Sequence, residues 1–292
     1  MEDKKMPVVS VLTTCYNRER FLGESIESVL ASTLTNFELI IVDDRSVDNS
    51  LAVAKHYAAL DDRIRVYQNE VNLGDYPNRN RAASYARGKY LKYLDADDYI
   101  YPHCLQQVTD TMEMFPKAGL GLAMREFFGP KPEYLDPETA IRTNYLQYEL
   151  FLSSPLSSVI RRDAFEAVGG FSGKRYVGDA ELWILLAKQS GLVKLLPGFG
   201  YWRQHDAQES KSEAKDIAGN VARYRFAMDI LQEVAHFFSA DELELIKNRI
   251  NRKYARLFFR KLYSGEFKSA EAIKSETGKS FVSLLRDARQ KV

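Results

Sequence analysis

Cysteine is almost missing from this chain: of 292 residues only Cys15 and Cys104 are cysteines. Two cysteines so far apart make neither a disulfide framework nor a zinc-ligand cluster, and they suit a reducing cytoplasm. Net charge is almost missing too. Lys and Arg number 41 against 40 Asp and Glu, which leaves +1. Such a balance excludes a general polyanion binder, and nucleic acid is not an expected partner. No apolar run reaches the ~18 residues that a membrane span needs. The charged Met1–Lys5 leads straight into a strand-like run, so no signal peptide is expected. Glycine-rich phosphate loops are lacking as well. There is no G-x-G-x-x-G and no G-x-x-x-x-G-K-[ST], and Gly119-Leu120-Gly121 opens no helical pattern. With the usual backbone cradles absent, a nucleoside diphosphate bound here would need a cation for most of its countercharge.

What is present is a core. Apolar residues make up 45% of the chain, too many for a disordered polymer. The first half alternates between two periods. Val8–Thr14, Phe37–Val42, Arg63–Tyr67 and Lys89–Leu94 are β-branched or apolar runs that read as strands buried on both faces. Between them, Leu22, Ile26, Val29 and Leu30 fall at helical spacing. Residues 49–60 read as a helix capped by Asp48 or Ser46. An alanine-rich helix through Ala82, Ala83 and Ala86 is expected to stop at Gly88. Pro102 is expected in the first turn of a helix that ends near Pro116. Phe127–Asp136 reads as a loop or insertion, and residues 163–168 and 179–190 as helices. The order predicts an α/β fold with a mainly parallel central sheet and right-handed crossovers.

In such sheets ligands bind at the carboxyl ends of the strands. Two acidic clusters fall there: Asp43-Asp44 after the second strand, and Asp95, Asp97 and Asp98 after the fourth. Five carboxylates in one place raise each other's pKa or recruit a cation. Their hard oxygens suit Mg²⁺ or Mn²⁺, held by one or two carboxylates plus substrate phosphates.

The same residues carry a resemblance. Residues 7–206 resemble the family 2 glycosyltransferases, inverting enzymes with the Rossmann-like GT-A fold. The matching pieces are Pro7–Asn17, Phe37–Ser46, Asn72-Leu73-Gly74 with Arg79-Asn80, Tyr93–Asp98, Ser157–Arg162 with Val168–Phe171, Gly178–Trp183 and Tyr201–His205. Any one of them is weak; seven in order form a specific signal. The resemblance implies that Thr14, Tyr16 and Asp44 hold the nucleoside, Arg79 the base or diphosphate, and Asp95 ribose or sugar hydroxyls. It implies that Asp97 binds Mn²⁺ or Mg²⁺, that His205 completes the metal or phosphate contacts, and that Asp179 is the general base. Gly178 departs from the pattern, since many relatives carry an acidic residue there, and so does Pro77-Asn78. The implied activity is transfer of a sugar from a nucleotide donor, most simply a UDP-sugar, to a saccharide or lipid-linked acceptor in surface polysaccharide or glycolipid synthesis.

Taken singly, the residues leave plainer readings open. Asp179 is also a fitting helix cap, Tyr16 a rim aromatic, Arg79 a surface ion-pair partner and His205 a structural histidine. Two other functions stay open: a sugar-nucleotide-binding module without turnover, and an Asp-x-Asp phosphotransferase or phosphohydrolase. The second is disfavoured because that motif follows the first strand in such enzymes and the fourth strand here.

The sequence divides into residues 1–213, the catalytic part, and 214–292, a helical appendage. In the appendage, Ile250, Tyr254, Leu257 and Phe258 form a stripe beside seven basic residues between Lys247 and Lys261. Packing of that stripe on the catalytic part or on a second copy is favoured. Peripheral contact with the inner face of the cell membrane is the alternative.

Overall fold

The computed structural model describes residues 6–124, 129–206 and 216–290. The chain forms two compact units: Met1–Ala140, Glu149–Lys174 and Gly178–Gln204 in the first, and Ile141–Tyr148, Arg175–Val177 and His205–Val292 in the second. The expected division at residue 213 falls outside the described residues.

The first unit is built on a sheet. Its first half alternates as expected: β1 (Val9–Cys15), α1 (Leu22–Leu30), β2 (Phe37–Asp43), α2 (Ser50–Leu60), β3 (Ile64–Gln68), α3 (Asp75–Ser84) and β4 (Tyr90–Tyr93). Next come β5 (Tyr99–Ile100), α4 (Cys104–Met114), β6 (Leu120–Ala123), β7 (Glu133–Leu135), α5 (Pro137–Leu146, which runs on into the second unit), β8 (Ser158–Arg161), α6 (Arg162–Val168), α7 (Gly178–Ser190), β9 (Leu192–Leu195) and β10 (Gly200–Tyr201). The main sheet has the order β3-β2-β1-β4-β8-β6-β9-β7. Pairings β1–β2, β1–β4, β2–β3 and β6–β9 are parallel, while β4–β8, β6–β8 and β7–β9 are antiparallel. The α/β, mainly parallel expectation therefore stands, with an antiparallel half added.

Both faces of β1 and β2 are covered, which is why their sequences do not alternate. Val9, Val11, Leu39 and Ile41 share a core with Leu22, Ile26 and Val29 of α1 and Leu105, Val108 and Met112 of α4. Burying each such side chain contributes about 1.5–3 kcal/mol. At the opposite end from the strands' carboxyl termini, Glu38 of β2 is buried. It accepts hydrogen bonds from Ser10 Oγ of β1 (2.7 Å), Arg65 Nη1 of β3 (3.0 Å), and the N–H (2.7 Å) and guanidinium of Arg87.

Several local expectations shift. Helix α2 begins at Ser50 with Asn49 at its N-cap, one residue beyond Asp48; Asp48 instead accepts from the Ser50 N–H at 2.9 Å. Helix α3 stops at Ser84, four residues before Gly88. Gly88 is there for closeness: a β-carbon on it would meet Ser10 N at 2.5 Å, and its own N–H donates to Ser10 Oγ at 2.8 Å. Pro102 sits in the turn before α4, not inside it. Of the expected loop Phe127–Asp136, residues 127 and 128 are outside the described residues, and 133–135 form β7 against β9.

The second unit is helical: α8 (Ile217–Glu233), α9 (Ala240–Tyr263), α10 (Phe267–Thr277) and α11 (Phe281–Arg289). Asp216 caps α8 through the Ala218 N–H, and Ser239 with Glu242 forms a reciprocal capping box on α9. The apolar stripe of α9 is spent inside this unit. Tyr254, Ala255 and Phe258 pack with Tyr224, Ala270, Ile273 and Leu284. Among the described residues no helix is long and apolar enough to cross a membrane.

Candidate functional site

The parallel register carries β1, β2 and β4 to one rim. Cys15 stands opposite Asp43, and Leu12 opposite Tyr93. The turn after β1 takes the place of a glycine-rich loop and is stitched by side chains. Asn17, with φ +53°, accepts from the Val47 N–H (2.9 Å), and its own N–H donates to Ser46 Oγ (3.0 Å). Thr14 is the penultimate residue of β1, and Tyr16 follows the strand with 46% of its surface exposed.

Asp44 is buried. Its carboxylate accepts from Asn69 Nδ2 (2.7 Å), the Leu73 N–H (2.8 Å) and the Gly74 N–H (2.9 Å). Three chain donors thus use three of about four lone-pair positions. The sequence motif Asn72-Leu73-Gly74 is the loop that this aspartate holds in place.

The turn after β4 is the acidic centre. Asp95 pairs with Arg79 Nη2 at 2.8 Å, and Arg79 Nε donates to Asp75 at 2.7 Å. Arg79 is buried on α3, and its Nη1 has no hydrogen-bond partner among the described residues. Burial works against its charge, but Asp95, Asp75 and Asp179 together hold its pKa well above the usual arginine range. Asp97 pairs with Arg18 Nε at 2.8 Å. Asp98 is buried and accepts from the Arg203 N–H at 3.0 Å. Burial first, then the charge of Asp95, pushes the Asp98 carboxyl up to about 7. Burial also raises Asp95, with Arg79 opposing and Asp75 and Asp97 adding to it. The late segment Tyr201–Arg203 reaches this turn because β10 pairs with β5, and Arg203 Nε also donates to the Asp97 carbonyl at 3.0 Å.

Asp179 lies inside the first turn of α7, not before it. Its charge acts on Arg79 and on Tyr76. The first unit therefore contains Thr14, Tyr16, Asp44, Arg79, Asp95, Asp97 and Asp179, and His205 belongs to the second. The sequence places Asp98 in the acidic cluster without a role of its own, and Arg18 and Arg203 were not foreseen as site residues. Arg18 and Arg203 had no signal, since their partners lie 79 and 105 residues away.

Among the described residues no three His, Cys, Asp or Glu side chains converge as a ready-made metal cage. The donor set still fits a hard divalent ion. Asp95 and Asp97 offer oxygen ligands beside crowded carboxylates, and such ions take one or two carboxylates plus phosphate oxygens.

The glycosyl transferase family 2 model matches residues 10–169. A putative glycosyltransferase of Bacillus subtilis, EpsE, is 28% identical over 246 residues, covering 82% of this chain and 84% of its own. The putative teichuronic acid biosynthesis glycosyltransferase TuaG of the same organism is 39% identical over 92 residues, covering 32% of this chain and 36% of its own. Staphylococcus aureus TarS (residues 1–349), solved with UDP-GlcNAc, superposes with a TM-score of 0.66 at 17% identity, covering 94% of this chain and 93% of that one. The mannosyltransferase PcManGT of Pyrobaculum calidifontis, solved with GDP-Man and Mn²⁺, gives 0.61 at 13% identity, covering 98% and 87%. The family match defines a sugar-transferring enzyme, and the structural neighbours show the GT-A fold. The chain belongs to glycosyl transferase family 2.

Proposed function

We propose that this enzyme is a metal-dependent inverting transferase that uses a UDP-sugar and serves polysaccharide or glycolipid synthesis. The observation that carries the reading is the rim at β4: Asp95 and Asp97 in one turn, with Arg79 buried against Asp95 and its Nη1 without a partner among the described residues. Support comes from the donor in TarS and the donor and ion in PcManGT, and from the pathway in TuaG's name.

Thr14 and Tyr16 line the nucleoside side, with Asp44 fixing the loop beside them. Arg79 contacts base or diphosphate, and Asp95 orients ribose or sugar hydroxyls. Asp97 would hold a divalent ion, which when bound would supply countercharge to the leaving diphosphate. Asp179 takes the proton of the acceptor hydroxyl as its oxygen bonds to the anomeric carbon. The bond from that carbon to the diphosphate oxygen breaks, and the oxygen keeps the electron pair. One displacement inverts the centre. UDP with Mn²⁺ should raise the melting temperature, and EDTA should cancel the rise. Release of UDP in a donor screen then separates an enzyme from a binder. No thermal response to any nucleotide with Mn²⁺ overturns the reading.

A further inference from the structure

Gly178 stands immediately before Asp179 at the start of α7. The space beside it is taken. A β-carbon on Gly178 would lie 2.6 Å from Cζ of Tyr76, 2.7 Å from Cε2 and 2.9 Å from Cε1. No side chain fits there while the ring stays. The ring is itself held, stacked on Phe171 at 5.2 Å, and Phe171 packs against Tyr93 and Trp183. Tyr76 sits in the first turn of α3.

The Asp179 backbone N–H acts on the Tyr76 hydroxyl, drawing the phenol's pKa down against burial. That N–H belongs to the first turn of α7, whose donors have no partner within the helix. Burial, then the charges of Asp179 and Asp75, keep the phenol protonated. Arg79, one turn along α3, carries the opposite charge toward the same aspartates.

We infer that Tyr76 is a positioning residue for Asp179: its ring seats on Gly178 and its hydroxyl anchors the turn that presents the carboxylate. The inference rests on Asp179 being the base. A carboxylate displaced by a fraction of an ångström from the acceptor proton loses rate without losing substrate.

The test uses the full chain, a UDP-sugar that gives UDP release with Mn²⁺, and the variants Tyr76→Phe, Gly178→Ala and Asp179→Asn. Tyr76→Phe keeps the ring and removes only the hydroxyl. It should lower kcat about tenfold, with donor KM, the affinity for UDP with Mn²⁺ and the melting temperature little changed. Gly178→Ala must displace the ring and should lose more kcat with the same nucleotide affinity. A Tyr76→Phe enzyme with wild-type kcat, or one that loses UDP affinity in step, overturns the inference. If Asp179→Asn turns over normally, the base assignment fails instead. If no donor is turned over, a crystal structure of Tyr76→Phe decides, since an unmoved Asp179 carboxylate overturns the inference and a displaced one supports it.

Discussion

Individual side chains at the rim answer to their surroundings more than to their type. Asp179 lies inside the first turn of α7, and Asn keeps its size there. Replacing it by Asn should leave folding and the UDP–Mn²⁺ thermal shift intact. Transfer should fall by roughly 10²–10⁴, the range of a lost general base. Initial rates on purified protein read this directly. The two cysteines show the opposite case, reactivity removed by burial. Cys15 is buried in the core, and burial pushes its thiol up to about 12; Cys104 is raised by burial too. The thiolate is the reactive form. Neither should react with maleimide at pH 8 until denaturant is added, which mass spectrometry would show.

At the scale of elements, close approach and capping decide more than propensity. Gly88→Ala puts a β-carbon 2.5 Å from Ser10 N, a backbone atom of a central strand that cannot step aside. Overpacking of this kind costs about 1–3 kcal/mol or more, measurable by urea unfolding. Ser239→Ala removes the cap whose oxygen accepts the Glu242 N–H at 3.3 Å. It should cost about 1 kcal/mol. The long strands and their helices were legible because each run is apolar enough to need cover on both faces. β5 to β10 were not, since runs of two to four residues carry no period of their own. Gly88 was visible but read as a helix stop, because the neighbour that demands it is 78 residues away. The acidic turn at Asp95–Asp98 was legible from its place after a strand. The Arg18–Asp97 pair and the Tyr76–Gly178 contact were not, because only the folded chain brings them together.

At the scale of the whole molecule, among the described residues one hydrophobic cluster lies around β1 and β2 and another among α8 to α11. Phe258→Ala opens a cavity in the second and should cost about 3–5 kcal/mol there. In calorimetry it should lower one transition, while UDP with Mn²⁺ raises the other; a single transition that moves with both would refute this. The buried Glu38 has a broader reach, because one carboxylate ties β1, β3 and the segment before β4 to β2. Burial works against its charge, but Ser10, Arg87 and Arg65 outweigh it and hold its pKa below the ordinary 4.5. Its contribution is therefore complete above that value and fades as pH falls through the lowered one. Acid should thus unfasten the sheet from its floor, on the side away from the chemistry, and do so only under strongly acidic conditions.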